Sequence, residues 1–322
     1  MTDAALDRPT PQRVAAPGGG VGLAPLWVPL RRAFTQRVWP VLVVVAAIVA
    51  IWYAAAMWLN AAQAIDRAER ADRTLTTSEL LADTMSQSRP LLPAPHQIAA
   101  EVWDTTAGKR ITSKRSLVYH SWVTLSSTLL GFVFGTALGV LLAVGIVHSR
   151  TLDKSLMPWI ITSQTVPILA VAPMVIVVLA AVGLTGLVPK AIISMYLAFF
   201  PVAVGMVKGL RAPTPIDLDL LRTYDASRSQ TFWKLRLPTA LPYLFASMKV
   251  AVAISLVGAI VGELPTGAVA GLGARLLAGS YYGQTIQIWS ALVTAAFVAA
   301  LLVVAVGLAE RWVLSRMGVR AA

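Results

Sequence analysis

Few residues in this 322-residue chain could do chemistry. It contains no cysteine, which excludes thiol catalysis, disulfides and cysteine-ligated metals. Its three histidines, His96, His120 and His148, belong to no metal-ligand motif, and no phosphate-binding G-x-x-x-x-G-K-[ST] loop, H-E-x-x-H or G-x-S-x-G motif occurs. We therefore expect no catalytic residue, no metal and no cofactor in this chain.

Polar residues inside apolar segments are the remaining candidates. Gln164 precedes Pro167 and Pro173 in the run SQTVPILAVAP. Proline removes a backbone donor, and an irregular membrane helix is tolerated only where it is buried in protein or lines a cavity. Gln164, Pro167 and Pro173 therefore either line a cavity within the membrane or pack between helices.

Charged residues are scarce in the apolar segments. Lys249 lies near one end of its segment, where its ammonium group can reach the interface. Glu263, in VGELPTG, lies at the other end and is either an interface-solvated carboxylate or a gate or docking residue. Proton-driven and ion-driven transporters usually carry charges near mid-membrane. The scarcity indicates that any transport draws its energy from elsewhere.

The composition is that of a polytopic, all-α membrane protein. The chain is 57% hydrophobic and 13% charged, whereas soluble domains have about 25% charged residues. Its net charge of +12 does not indicate nucleic-acid binding, because the basic residues lie at the edges of apolar segments and not in one patch with exposed aromatics. The positive charge is a topology signal.

Six apolar runs are long enough to cross about 30 Å of hydrocarbon as helices. They lie at 39–59, 121–147, 157–182, 187–207, 244–264 and 287–309. Sixteen Lys and Arg residues fall on one side of the resulting topology, and the short loops opposite hold only Lys190 and Arg275. The positive-inside rule then places both termini and the polar loop 208–243 in the cytoplasm.

Three segments lie outside these helices. Residues 1–38 form a flexible basic tail, and not a cleaved signal peptide, because the first apolar run begins late and is too long. The 60–120 segment combines eight basic with seven acidic residues; its first half predicts a mostly polar helix and its second half is proline-rich. It is either a solvated external cap or a contact surface for an external protein. Residues 310–322 form a cytoplasmic C-terminus.

The second apolar segment contains Gly131, Gly135 and Gly139. Their four-residue spacing puts three small residues on one helix face, where another helix can approach closely. We expect these glycines to serve helix packing.

The 208–243 loop separates two membrane segments and has helical features of its own. Residues 217–225 predict a short helix with Leu218 and Leu221 on one side, and Ser227 and Gln230 stand at capping-box spacing. A second short helix should begin there, with an apolar face, a cationic face and an end close to Pro238. The loop is either an amphipathic helix on the membrane surface or a binding surface for a soluble partner.

The loop resembles that of the membrane permease subunits of bacterial ATP-binding-cassette importers. That family's loop reads Glu-Ala-Ala, three residues, Gly, nine residues, Ile, any residue, Leu-Pro. Here 219–221 takes the first position, Asp225 stands at the glycine, and Leu235, Leu237 and Pro238 complete the spacing. The run ASRSQTFWKLRLPTALPYLFASMKVA, with QTVPILAVAPM, FFP and GLG elsewhere, is similar to the nitrate, sulfonate and taurine branch.

The resemblance implies a MetI-like bundle that forms the translocation path for a small solute. A periplasmic binding protein would deliver the solute, a second permease chain would complete the path, and a separate ATPase dimer would bind ATP and Mg²⁺. The solute would be nitrate, a sulfonate such as taurine, or a heterocyclic vitamin precursor. The resemblance assigns ATPase coupling to Asp219, Leu220, Leu221, Tyr224, Asp225, Ala226, Ser227, Phe232, Trp233, Leu237 and Pro238.

Within this interpretation Gln164, Pro167, Pro173 and Glu263 are candidates for the translocation path. This chain departs from the family pattern at three positions, with leucine at 220 and 221 and aspartate at 225. The family has small residues there, which let the loop lie close to its partner. Asp225 could supply a helix cap or a salt bridge to the ATPase. The competing readings are a secondary transporter or channel without an ATPase, and a membrane-embedded enzyme, for which the sequence offers no catalytic constellation.

Overall fold

A computed structural model describes residues 39–265 and 268–318, and every regular element within these ranges is a helix. The predicted basic tail lies outside the described residues. The chain divides into two compact units between Ile51 and Trp52, a boundary inside the first helix. In the first unit the structure describes only residues 39–51, which are helical and largely exposed.

Helix α1 (Trp39–Arg70) is 32 residues long and continues well past the predicted end at 59. The polar helix predicted after it is therefore two elements, the end of α1 and a separate α2 (Thr77–Ser86). Thr76 begins α2 with a complete capping box to Glu79. Bonds from the Thr76 backbone and side chain to the Glu79 carboxylate hold the pKa of Glu79 below its usual value.

Helix α3 (Pro95–Thr106) completes the 60–120 segment, which is pinned internally by Asn60. The Asn60 side chain is fully buried. Its amide nitrogen donates to the carbonyl oxygens of Thr84 and Leu92, and its amide oxygen accepts from the backbone nitrogens of Leu91 and Leu92 at 2.9 and 3.2 Å. The segment is thus a folded cap with a polar core.

The bundle contains α4 (Leu117–His148), α7 (Leu187–Leu210), α10 (Leu237–Glu263) and α12 (Thr285–Arg316). A shorter helix, α11 (Leu272–Tyr281), joins α10 to α12. Five described helices are long and apolar enough to cross a membrane, and the number rises to six if one broken pair counts as a single span.

That broken pair replaces the continuous helix predicted at 157–182. Helices α5 (Arg150–Ser163) and α6 (Ile168–Ala181) are bent by 100° at residues 164–167. The residue before a proline avoids the helical region, and Pro167 has no backbone N–H to continue the α5 hydrogen bonds. Pro167 therefore divides this segment into two helices, whereas Pro173 lies inside α6 without interrupting it.

The core of the bundle is the contact between α4 and α7, and Gly131, Gly135 and Gly139 lie within it. A Cβ at Gly131 would stand 2.7 Å from the carbonyl oxygen of Ala191, and one at Gly139 would stand 2.7 Å from that of Phe199. Real side chains do not approach so closely. The glycines thus allow the two backbones to meet without intervening side chains.

Two short helices protrude between α7 and α10. They are α8 (Pro215–Thr223) and α9 (Arg228–Thr231), and a π-helical turn at Phe232–Arg236 joins α9 to α10. We call this end of the bundle the loop end, and the end where α10 finishes at Glu263 the opposite end.

Candidate functional site

The loop end begins with a firmly capped helix. Thr214 and Asp217 form a capping box at the start of α8, in which the Thr214 hydroxyl donates to the Asp217 carboxylate at 2.7 Å. Pro215 occupies the first helical position, where its fixed φ suits the helix and its missing N–H has no consequence. The observed helix begins two residues earlier than predicted and ends at Thr223.

Asp225 makes the turn that ends α8. Its φ is +51°, in the left-handed region that favours glycine. The Asp225 N–H donates to the Arg222 carbonyl at 2.9 Å and the Ala226 N–H donates to the Leu221 carbonyl at 3.0 Å, the two bonds of a Schellman motif. Aspartate thus takes the backbone conformation that glycine would take at this position of the family pattern, so the turn does not depend on the small residue.

Helix α9 starts at the predicted place. Ser227 accepts from the Gln230 N–H, and Gln230 Oε1 accepts from the Ser227 N–H at 2.8 Å, a complete capping box. The predicted end near Pro238 is wrong, because one helical span continues from Arg228 to Glu263. Its π-helical turn is closed by a bond from the Leu237 N–H to the Phe232 carbonyl. This bond joins residues five apart, whereas an α-helix joins residues four apart. Because the wider turn lies directly before Pro238, the helix continues past the proline.

One side of the loop is attached to the bundle and the other is exposed. Phe232 and Leu237 pack against the buried cluster around Met206, Leu210 and Ala240, and the Phe232 ring lies 5.2 Å from that of His148. The side chains that point away from the bundle include large apolar and aromatic groups. Their exposed fractions are 80% for Ile216, 56% for Leu220, 76% for Tyr224 and 64% for Trp233.

The remaining residues assigned to coupling lie along the same structure. Leu221 and Ala226 are half-buried, while Asp219 and Ser227 are exposed. Asp219 accepts from Arg222 Nη1 at 2.9 Å within α8. The predicted loop residues therefore form one continuous surface element, with Phe232, Leu237 and Pro238 at its attachment to α10.

At the opposite end, Glu263 is fully buried, which overturns the interface-solvated reading. The Thr124 hydroxyl donates to its carboxylate at 2.9 Å, the Gly273 N–H donates to it at 2.7 Å, and Lys190 Nζ lies 3.8 Å away. Gly271 has φ +125°, and a Cβ there would collide with this carboxylate. Glu263 therefore holds the start of α11 against α4 and α7.

His120 belongs to the same polar cluster. It accepts the Gly271 N–H through Nδ1 at 2.9 Å, and its Nε2 lies 2.9 Å from the Lys114 carbonyl. An amide N–H can only donate and a carbonyl can only accept, so the ring is a neutral imidazole protonated at Nε2. The histidine is thus a structural link between α4 and the segment before α11.

Gln164 and the two prolines lie at the break between α5 and α6. Gln164 is half-buried, ends α5, and donates through Nε2 to Ser163 Oγ at 3.3 Å. Pro167 caps α6 and Pro173 lies within it. Gln164 thus contacts Ser163 at the end of α5, whereas Glu263 contacts Thr124, Gly273 and Lys190 at the opposite end of the bundle.

Two ion pairs within the bundle were not predicted. Lys249 forms an ion pair with Glu310 on α12 and does not simply extend to the interface. Lys190, treated only as an external loop charge, is buried beside Glu263. The membrane-spanning helices therefore contain more charged residues than predicted, but these residues are arranged in ion pairs. No sequence pattern indicates that Lys190 is buried. For Glu310, the only signal of an ion pair was an acidic residue directly after the apolar run 287–309.

Within residues 39–265 and 268–318 no three His, Asp or Glu side chains form a group that could hold a metal ion. The two features with a defined architecture are thus the loop end, which presents exposed aromatic and apolar groups, and the polar cluster at the opposite end.

Residues 135–319 match the family described as binding-protein-dependent transport system inner membrane component. The chain is 31% identical over 221 residues to the riboflavin transport system permease protein RibX of Chloroflexus aurantiacus, an alignment covering 69% of this chain and 78% of that protein.

Two further relatives agree. A probable ABC transporter permease protein of Haemophilus influenzae is 29% identical over 185 residues, covering 58% of this chain and 71% of its own length. The formylaminopyrimidine transport permease protein ThiX of Halalkalibacterium halodurans is 29% identical over 183 residues, covering 57% and 68%. With its helical bundle and its loop between two spans, the chain belongs to the family of binding-protein-dependent transport system inner membrane components.

Proposed function

We propose that this permease uses its 208–243 loop to bind a cytoplasmic ATPase, which powers import through the bundle. The observation that supports this most directly is the exposure of Leu220, Tyr224 and Trp233 on a loop whose backbone is fixed by two capping boxes and a Schellman turn. Tyrosine and tryptophan are enriched where protein interfaces derive most of their binding energy. Rigid presentation lowers the entropy lost on binding.

The assembly has the division of labour typical of such importers. Both termini face the cytoplasm, a periplasmic binding protein delivers the solute, and a second permease chain, identical or different, completes the path. ATP and Mg²⁺ are bound and ATP is hydrolysed in the ATPase dimer, and this chain holds no cofactor. The 60–120 cap lies on the periplasmic side.

The loop would transmit movement into the membrane through one continuous helix. Closure of the ATPase dimer displaces α8 and α9, and the helical span Arg228–Glu263 carries this displacement past Pro238 and Pro242. The attachment of Phe232 and Leu237 to the core cluster couples the same movement to α4 and α7. The loop and bundle then form a two-state element.

The solute is a small molecule, for which the candidates are a heterocyclic vitamin precursor, a sulfonate such as taurine, and nitrate. We favour the heterocyclic class because relatives at 31% and 29% identity are named for riboflavin and formylaminopyrimidine transport. A thermal-shift comparison of these ligands on the cognate binding protein would decide among the classes, because the bound ligand stabilises the folded protein.

The ATPase assignment is tested by copurification from membranes with the cognate ATPase. Trp233→Asp and Phe232→Asp should each abolish copurification and uptake, whereas Trp103→Asp, at an even more exposed tryptophan of α3, should leave copurification unchanged. A complex that survives both loop substitutions would contradict the assignment. Uptake that continues without any ATPase would instead identify a secondary transporter or channel.

Gln164 is proposed to line the path at the break between α5 and α6. Gln164→Ala should slow uptake while the complex with the ATPase stays intact. Wild-type uptake in this variant would contradict the proposal and would mean that Gln164, Pro167 and Pro173 only pack between helices.

A further inference from the structure

A basic cavity lies between the end of α4 and the two short loop helices. Its volume is about 410 Å³, within the range of roughly 300–1,000 Å³ that is usual for small-molecule sites. Its lining comes from three parts of the chain and includes His148 at the end of α4, Arg222 on α8, Arg228 on α9 and Arg236 on the π-helical turn.

The cationic groups in this cavity are only partly neutralised. No carboxylate lines the cavity. Arg222 is engaged by Asp219, but Arg228 and Arg236 form no ion pair in the part of the chain that the structure describes. The bond from Arg236 Nη1 to the Leu210 carbonyl is long, at 3.4 Å. Like charges around a common concave space repel one another, so the site favours an anion.

The walls of the cavity are fixed before any ligand arrives. The Ser227 and Gln230 capping box sets the start of the helix that carries Arg228, and the Schellman turn at Asp225 sets its direction relative to α8. His148 Nδ1 lies 2.8 Å from the Val144 carbonyl, and its ring contacts Phe232. The guanidinium groups thus project from a prearranged frame.

We propose that this cavity binds a small oxyanion of the phosphate type, with Arg228 and Arg236 as its principal ligands and Arg222 as a third. The planar guanidinium fork matches two oxygens of a phosphate group, and such charge-assisted bonds are among the strongest hydrogen bonds in proteins. Free inorganic phosphate and the phosphodiester headgroup of a lipid share this chemistry. The bound anion ties α8 to the start of α10 across the Asp225 turn.

The cavity lies in the proposed ATPase-binding loop, but its test does not depend on that assignment, because it uses the full chain alone. Binding of inorganic phosphate to the detergent-purified protein is measured by titration calorimetry at constant ionic strength against chloride. Arg228→Gln and Arg236→Gln should each weaken binding about tenfold, the loss expected for one charge-assisted hydrogen bond. Arg228→Lys, which keeps the charge but not the fork, should fall between them and the wild type.

Arg316→Gln is the matched control, because Arg316 is an exposed arginine outside the cavity that lies over the Trp312 ring. It should bind phosphate as the wild type does. An equal loss in Arg316→Gln would show nonspecific attraction to a basic protein and would overturn the proposal. So would unchanged binding in Arg228→Gln, a variant at an exposed position that should fold normally.

A second arm distinguishes the two sources of the anion. Short-chain phosphatidylglycerol is added in competition with phosphate, and diacylglycerol of the same chain length serves as the control. Competition by phosphatidylglycerol alone, lost in Arg228→Gln, supports a lipid headgroup, whereas phosphate binding without competition supports a free anion. If neither phosphate nor phosphatidylglycerol binds, the proposal is wrong.

Discussion

Thr124 and Glu263 lie 139 positions apart in the sequence and share one hydrogen-bond network at the opposite end of the bundle. The Thr124 hydroxyl donates to the Glu263 carboxylate at 2.9 Å, and the same oxygen accepts the Leu272 N–H at 2.8 Å. One threonine of α4 thus connects the last residue of α10 to the first residue of α11. The carboxylate is fully buried, and a buried polar group that loses a hydrogen bond cannot replace it with water. Each of these bonds therefore contributes to the stability of the fold.

Replacing Glu263 by alanine should strongly destabilise the protein. The change leaves the Lys190 ammonium group buried without its carboxylate and removes the acceptor of the Thr124 hydroxyl and the Gly273 N–H. Breaking a buried ion pair by removing one partner costs about 3–5 kcal/mol. The measurement is thermal unfolding of the detergent-purified protein.

Glu263→Gln is the control for this prediction, because it removes the charge but retains one of the two acceptor oxygens, the other being replaced by an amide nitrogen. It should destabilise less than Glu263→Ala. Two variants with the same unfolding temperature would show that the hydrogen bonds of Glu263 contribute nothing and that only its charge matters.

The glycine face of α4 gives a second prediction. Gly131→Ala should destabilise by about 1–3 kcal/mol, the usual effect of overpacking, because the new Cβ would stand 2.7 Å from the Ala191 carbonyl oxygen. Gly307→Ala on α12 is the matched control, since its Cβ meets only the Lys249 side chain at 3.7 Å. The control should be neutral or slightly stabilising, because alanine is the better helix former. Equal unfolding temperatures for the two variants would refute the close packing.

Asp225 supports a third prediction that separates backbone conformation from side-chain function. Because its φ is +51°, Asp225→Gly should raise stability by about 0.5–1 kcal/mol, and Asp225→Val should lower it by at least as much. Asp72, with φ +52°, offers the same backbone in a different turn, so Asp72→Gly should give a similar gain. Thermal unfolding measures both effects.

ATPase-coupled uptake then tests what the Asp225 carboxylate does. If the residue acts only through the turn, Asp225→Gly should leave uptake unchanged, as Asp72→Gly should. Loss of uptake in Asp225→Gly alone would assign the carboxylate a direct contact with the ATPase.

Lys249 and Glu310 provide the fourth prediction, through a double-mutant cycle. The two side chains form an ion pair between α10 and α12, with exposed fractions of 36% and 18%. Lys249→Met and Glu310→Gln should each destabilise the protein, because each leaves one charge without its partner. The double variant leaves no such charge, so it should lose less stability than the two single variants together. Strictly additive losses would mean that the two charges act independently.

The sequence predicted five of the six membrane segments as single helices, because a long apolar run has few alternatives in a bilayer. The sixth, predicted at 157–182, is the broken pair α5 and α6. The sequence also predicted the start of α9, since the capping box of Ser227 and Gln230 is a local signal. Helix ends were less accessible: α1 passes 59 and keeps Asn60 buried through bonds to Leu91 and Leu92, which no local pattern contains.

The same limit explains what was missed at the candidate sites. The burial of Glu263 depends on Thr124 and on the backbone of 271–273, which only the tertiary fold brings near it. The prolines after Gln164 indicated an irregular helix, but no local pattern gives the 100° angle between α5 and α6 or the packing of Ala172 against Ile193 and Val261. Local residue types thus predicted where a helix is irregular or charged. The bend angle and the burial of each residue depend on contacts that are distant in the sequence.

The π-helical turn at Phe232–Arg236 has a consequence for the tolerance of this chain to length changes. Phe232 and Leu237 both contact the core cluster although they are five residues apart, a spacing that in an α-helix would set them about 140° apart around the axis. The wide turn accommodates one surplus residue. Deleting the exposed Lys234 would leave a four-residue spacing, which places both side chains on one face of a regular helix. At this turn, a chain shorter by one residue would keep both anchors in place.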